Sequence, residues 1–122
     1  MKKQNQTKLD SLSFQLYICL DNSNLAEAIY LTKLAATTVS NKNTMIELCE
    51  AHYTSDDCIL EVDLSCVSSI SDQTCYDCIC KLYRMLRQWI PDAVDYSLLH
   101  NNRSIKYMHQ IWDDKHNDNQ LN

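Results

Sequence analysis

Not one of the 122 residues is glycine, where an average chain of that length carries about eight at a usage near 7%. A Walker phosphate loop, a Rossmann dinucleotide fingerprint and a nucleophile elbow all need glycine where backbone approaches a ligand or takes a positive φ. None of these can be present in standard form, so the commonest nucleotide-binding and hydrolase sites are excluded. Positive-φ positions must fall to asparagine or aspartate, which tolerate the left-handed region better than other residues. The pairs Asn22 and Asn24, Asn41 and Asn43, and Asn101 and Asn102 mark the expected loops.

The length suits one domain, which can bury enough surface to fold without a metal or a disulfide. A formal net charge of −5 excludes a uniformly basic surface and with it nonspecific nucleic-acid binding. No apolar run approaches the roughly 20 residues of a membrane span, so no direct membrane insertion is expected. The opening MKKQNQTKLDS leads into LSFQLYICL, which polar residues interrupt and which lacks a small-residue cleavage site, unlike a signal peptide. Seven cysteines, an odd number without an export signal, read as reduced thiols in a cytoplasmic protein.

Residues 1–10 read as a flexible N-terminus, 11–112 as the domain and 113–122 as a disordered polar tail. Leu12, Phe14, Leu16, Ile18 and Leu20 alternate with polar residues, the period of a half-buried strand. Asn24 and Glu27 have capping-box spacing before a helix with the apolar stripe Leu25, Ala28, Ile29, Thr32, Ala35, Ala36 and Val39. Thr44 and Glu47 repeat the capping signal, which predicts a short second helix carrying Met45, Ile46, Cys49 and Tyr53. A strand with Cys58, Leu60, Val62 and Leu64 follows, then a helix from Gln73 to Trp89 that Pro91 stops. Val94, Tyr96 and Leu98 form a third strand, and a helix with Ile105, Met108, Ile111 and Trp112 closes the domain. The expected fold is α/β: a small single domain of order βα(α)βαβα with a mostly parallel sheet and helices packed on it.

The stretch CVSSISDQTCYDCIC carries Cys66, Cys75, Cys78 and Cys80. As zinc ligands they would need to converge, with Cys58, Cys49 or His52 as further donors, but no second tight pair is present. As a redox motif Cys75-x-x-Cys78 stands near a helix N-terminus, yet Asp77 within it raises rather than lowers the thiol pKa. Cys75 and Cys78 also continue the apolar stripe Ile79, Leu82, Leu86, while Cys80 points elsewhere on the helix. Buried structural thiols are the expectation, with a zinc-binding or thiol-redox protein as the alternative.

The hydroxyl-rich segment SCVSSISD joins a strand to this helix, and Ser71 or Asp72 is placed to cap it. The run Asp63-Leu64-Ser65-Cys66-Val67-Ser68-Ser69-Ile70-Ser71-Asp72-Gln73-Thr74 resembles the STAS family, the sulfate-transporter and anti-sigma-factor-antagonist domains. The following CYDCICKLYRMLRQ and the later YSLLHNNRSIKYMHQI resemble its long helix and its final strand, turn and helix. Ser71 stands where that family has its acidic residue, Asp72 where it has the phosphorylatable hydroxyl, and Thr74 where it has glycine. The resemblance implies a non-enzymatic regulatory module without cofactor. Its partner would be a protein: an anti-sigma-like kinase, a sensory complex or an ABC transporter subunit. The implied docking surface is the 66–74 loop, with Ser68, Ser69, Ser71, Asp72 and Thr74, plus the helix face Asp77, Lys81, Arg84 and Gln88.

Overall fold

β1 spans Leu12–Cys19 and keeps its alternation: Phe14, Leu16 and Ile18 are buried, while Ser13, Gln15, Tyr17 and Cys19 turn to the opposite face. A computed structural model describes residues 11–100 together with 103 and 104. The expected flexible N-terminus, the polar tail and all but the start of the expected last helix lie outside the described residues.

After β1, Asp21 accepts a hydrogen bond from the Ser23 amide and starts a single 3₁₀ turn, Asn22–Asn24. That turn feeds α1, Leu25–Val39. The Asn24 side chain makes no cap bond, so the Asn24–Glu27 box does not form. The expected stripe does hold, with Ala28, Thr32, Ala35 and Ala36 buried and Leu25, Ile29 and Val39 partly buried. Thr32 sits in the core because its hydroxyl donates to the Ala28 carbonyl at 2.7 Å, satisfying the buried group.

The main correction concerns residues 44–54. They form an eleven-residue strand, β2 (Thr44–Thr54), and not a helix. Thr44 and Ile46 are buried, Leu48 is partly so, and the inward positions then resume at Ala51 and Tyr53. The register against the next strand slips between Leu48 and Glu50, so Cys49 is the extra residue of a β-bulge. The inserted residue puts one step of three, from Leu48 to Ala51, into the period of two, and the exposed Cys49 falls between the inward Ile46 and Tyr53 at spacings that imitate a helical stripe. Thr44, expected as a helix cap, instead receives its amide bond from Asn41 Oδ1 at 3.1 Å.

β3 runs from Ile59 to Ser68, with Leu60, Val62, Leu64 and Cys66 turned inward. The β2–β3 turn places Cys58 at φ 55°, the one positive-φ non-glycine position among the described residues. The left-handed conformation thus falls on a cysteine and not on the asparagines expected to take it. The Cys58 carbonyl accepts from the Leu20 amide at 2.9 Å and its thiol donates to the Ser55 carbonyl at 3.7 Å.

α2, Asp72–Trp89, is the expected third amphipathic helix. Its buried side is wider than the stripe predicted, since Cys80 and Tyr83 join Cys75, Cys78, Ile79, Leu82 and Leu86. The Tyr96 hydroxyl donates to the Leu86 carbonyl at 3.1 Å and to that of Ile90, closing the helix C-terminus onto β4 (Asp95–His100). Arg103–Ser104 form a two-residue β5 paired antiparallel with Leu99 and His100, where the first turn of a helix was expected.

The sheet order is β2-β3-β1-β4-β5, and every hydrogen-bonded pair is antiparallel. The expected mostly parallel βα(α)βαβα sheet is therefore overturned, and the order is βαββαβ with a short final strand. Physically, the expectation failed at one point. β1 and β2, joined through α1, do run in the same direction, as do β3 and β4, joined through α2. In each case, however, another strand is inserted between them, the split β-α-β arrangement of ferredoxin-like folds. α1 packs on β2 and α2, while α2 packs on β3 and β2. The core forms between this helical layer and the sheet face carrying Phe14, Leu16, Ile18, Leu60, Val62, Leu64 and Leu98. No helix among the described residues is long and apolar enough to cross a membrane.

Candidate functional site

Because β3 continues to Ser68, the expected 66–74 loop shrinks to residues 69–71. Its hydroxyls are engaged locally. Ser68 Oγ lies 2.9 Å from Thr44 Oγ1 and accepts from the Ile70 amide at 3.1 Å. Ser69 donates its amide to the Asn43 carbonyl at 2.8 Å, and its hydroxyl reaches the same carbonyl at 3.4 Å. Ser71 is the N-cap of α2: its Oγ accepts from the Thr74 amide at 3.1 Å and lies 2.9 Å from Thr74 Oγ1. Asp72 stands exposed in the first turn, where a carboxylate complements the helix dipole. Asp77 accepts from Gln73 Nε2 at 3.1 Å, and Lys81, Arg84 and Gln88 lie on the solvent side of α2. The structure thus places Ser68, Ser69, Ser71, Asp72 and Thr74 around the N-terminus of α2, which Ser71 caps, while Lys81, Arg84 and Gln88 run along the helix away from them.

The cysteines separate into two sets. Cys66 from β3 meets Cys75 and Cys78 from α2 inside the core, as their place in the apolar stripe requires. Burial pushes the Cys66 thiol far above its ordinary value, reinforced by its hydrogen bond with Cys75 and by the neighbouring thiols. Burial likewise raises Cys75, against the Cys66 hydrogen bond, and Cys78, against the pull of Lys81. Cys78 donates to the Val39 carbonyl at 3.2 Å, tying α2 to the end of α1. Cys80 is buried too, so it does not point away from the core. Cys49 and Cys58 are exposed, and no group of three or more metal-ligating side chains is poised to hold an ion among the described residues. Thiols kept protonated in apolar surroundings are poor nucleophiles and poor ligands. The cluster works as packing.

What the sequence reading missed is the second face of the sheet. Both helices lie on one side, so the residues alternating with the core form an open surface. β2 contributes Met45, Glu47, Glu50 and His52 to it; β3 contributes Ile59, Glu61, Asp63 and Val67; β1 contributes Gln15, Tyr17 and Cys19; β4 contributes Asp95, Ser97 and Leu99. No lysine or arginine occurs in β1–β4, and His52, opposite Glu61, is the one basic side chain they place on this face. Lys33, Lys81, Arg84 and Arg87 are on the helices behind it, while Lys42 lies in the connection from α1 to β2 and Arg103 in the short edge strand β5.

Charges on the face are arranged against stability. Glu50 stands directly opposite Asp63 in the β2–β3 register, and Glu47 pairs with Ser65 one step along. Like charges directly opposite across a sheet are destabilising by an amount on the order of 0.2–1 kcal/mol. Asp63 Oδ1 is buried and has no hydrogen-bond partner among the described residues. A depression of about 380 Å³ opens there, lined by Ser13, Gln15, Cys49, Asp63, Ser65 and Leu99. A second, of about 370 Å³, is lined by Tyr17, Cys19, Ile59, Asp95 and Ser97. Between them the Tyr17 hydroxyl donates to Gln15 Oε1 at 3.2 Å; burial, then Glu61 and Asp63, raise its pKa. The alternation of β1 and β3 already implied two faces. Only a pattern of acids without bases on one of them would have singled it out, and β2 hid that pattern behind its bulge.

No protein-family model matches the chain, and no curated protein matches it in sequence. Among solved structures it is similar to an amidase of the hydantoinase/carbamoylase family from Burkholderia phymatum, at a TM-score of 0.54 and 10% identity. The match covers 77% of this chain and 28% of that one. At that identity the likeness is one of fold alone.

Proposed function

We infer that the chain is a non-catalytic domain that binds a basic segment of a protein partner across the open face of its sheet. The observation that carries this reading is the segregation of charge. Glu47, Glu50, Glu61, Asp63 and Asp95 lie on one face, without lysine or arginine in β1–β4, while the helical layer behind holds Lys33, Lys81, Arg84 and Arg87. A phosphate backbone is repelled by such a surface, whereas a cationic segment is steered to it. Met45, Tyr17, Ile59, Val67 and Leu99 are interleaved with the acids, and this mixture suits a polypeptide with apolar and basic side chains better than a bare inorganic cation. The partner-binding character expected from the STAS resemblance is kept; the docking surface moves from the α2 end to the sheet. The engaged hydroxyls of Ser68, Ser69, Ser71 and Thr74 and the protonated thiols of the core support a role in binding over one in catalysis.

The test is a titration of ¹⁵N-labelled protein with a synthetic decapeptide of alternating arginine and serine, beside an aspartate–serine decapeptide. Amide shifts should move along β1 and β3, at Gln15, Tyr17, Glu61, Asp63 and Ser65, with the basic peptide only, and weaken as salt is raised. Shifts confined to residues 69–74 and the Lys81 and Arg84 face of α2 would return the docking surface to the helix end. Absence of binding to the basic peptide would overturn the reading.

A further inference from the structure

We propose that Asp63, with Glu50 beside it, receives one arginine side chain of that basic segment, so that the centre of the open face is a guanidinium site. The inference rests on the partner-binding reading above and deepens it. Three independent features meet at this point. Asp63 Oδ1 is buried without a hydrogen-bond partner among the described residues. Its cross-strand neighbour on β2 is a second carboxylate, Glu50, while on β1 it faces the neutral Gln15. The depression of about 380 Å³ is lined by Asp63, so a side chain from solvent can approach the carboxyl group although Oδ1 itself is buried.

A carboxylate oxygen removed from water without a partner is costly to the fold, and so is a like-charged pair in register. Among the described residues no lysine or arginine of β1–β4 stands beside them, and His52 on the same face is opposite Glu61. One guanidinium relieves both. Residues directly opposite on antiparallel strands place their Cβ atoms about 4.5–5.5 Å apart. The planar fork of arginine can then donate to both carboxylates at once, whereas the ammonium of lysine is a point charge with a larger hydration cost. Hydroxyls of Ser13 and Ser65 on the rim of the depression add acceptors for the remaining N–H groups.

The experiment compares wild type, Asp63→Asn, Glu50→Gln and Asp56→Asn, the last removing an equal charge from the exposed β2–β3 turn away from the face. Affinity for the arginine–serine decapeptide and for its lysine–serine counterpart is read by calorimetry, and thermal stability by circular dichroism. Asp63→Asn should weaken arginine-peptide binding at least tenfold and Glu50→Gln three- to tenfold, while Asp56→Asn changes it less than twofold. Wild type should prefer the arginine peptide to the lysine peptide, and Asp63→Asn should erase that preference while melting at the same temperature or higher. Equal losses in all three variants overturn the site but leave the sheet-face reading standing, since only long-range charge would then be at work. A lower melting temperature for Asp63→Asn also overturns it, because the carboxylate would then be an acceptor the fold itself needs. A wild type that binds neither peptide overturns both readings.

Discussion

Raising the pH from 7 to 10 should weaken the fold through the thiols buried between β3 and α2. Burial, the leading cause, holds Cys66 protonated well beyond its ordinary value of 9.0, and it raises Cys75 and Cys78 as well. A thiol whose pKa rises on folding contributes its stability in full below the unfolded value. That contribution is lost as the pH climbs from there through the folded value. The loss therefore begins near pH 9 and not on the acid side. For one thiol that titrates at 9.0 unfolded and stays protonated when folded, linkage gives about 1.4 kcal/mol lost by pH 10. Cys75 and Cys78, raised by burial in the same direction, add to that loss, against the roughly 5–15 kcal/mol typical of a domain. Tyr83 and Tyr96, also raised by burial from 10.0, add to the loss only at higher pH. Urea unfolding followed by circular dichroism at pH 7, 8, 9 and 10, with reductant and constant ionic strength, measures the effect. Cys66→Val should recover about 1.4 kcal/mol of the loss at pH 10, and Cys49→Ser, at an exposed position, none of it. Stability that is flat to pH 10, or an equal recovery from both variants, would refute the reasoning.

Ser71→Ala removes the N-cap of α2 and should cost about 1 kcal/mol in urea unfolding. Its effect on decapeptide affinity should stay below twofold, which separates a cap from a switch. Cys58→Gly relieves the left-handed backbone at φ 55° and should stabilise the domain by about 1 kcal/mol, seen as a higher urea midpoint with unchanged slope. With Ellman's reagent under native conditions, the exposed Cys49 and Cys58 should react promptly. Cys66, Cys75, Cys78 and Cys80 should react only after urea is added, as mass spectrometry of the labelled peptides would show.

Where a periodic pattern ran unbroken, the sequence was enough. The alternation of Leu12 to Leu20 and of Leu60 to Leu64, and the helical stripes of Ala28 to Ala36 and Cys75 to Leu86, each correspond to an element whose inward residues are the expected ones. The inward placement of Cys75 and Cys78 belongs with them, because burial follows the stripe whatever the residue's chemistry suggests. The missing glycines likewise ruled out whole classes of phosphate and nucleophile sites without any coordinates.

What the sequence could not decide was pairing. One bulged residue at Cys49 changed the apparent period of β2, and losing that strand turned a split β-α-β topology into an expected parallel sheet. Strand direction and order are settled by long-range hydrogen bonds between segments distant in the chain, which leave no local signature. The open acidic face depends on that order too. Glu50 and Asp63 are thirteen positions apart and gain their meaning only in register, and Asp63 Oδ1 is buried only where β1 and β2 flank β3. The chain by itself states which residues avoid water; the assembled sheet states which charges must face one another.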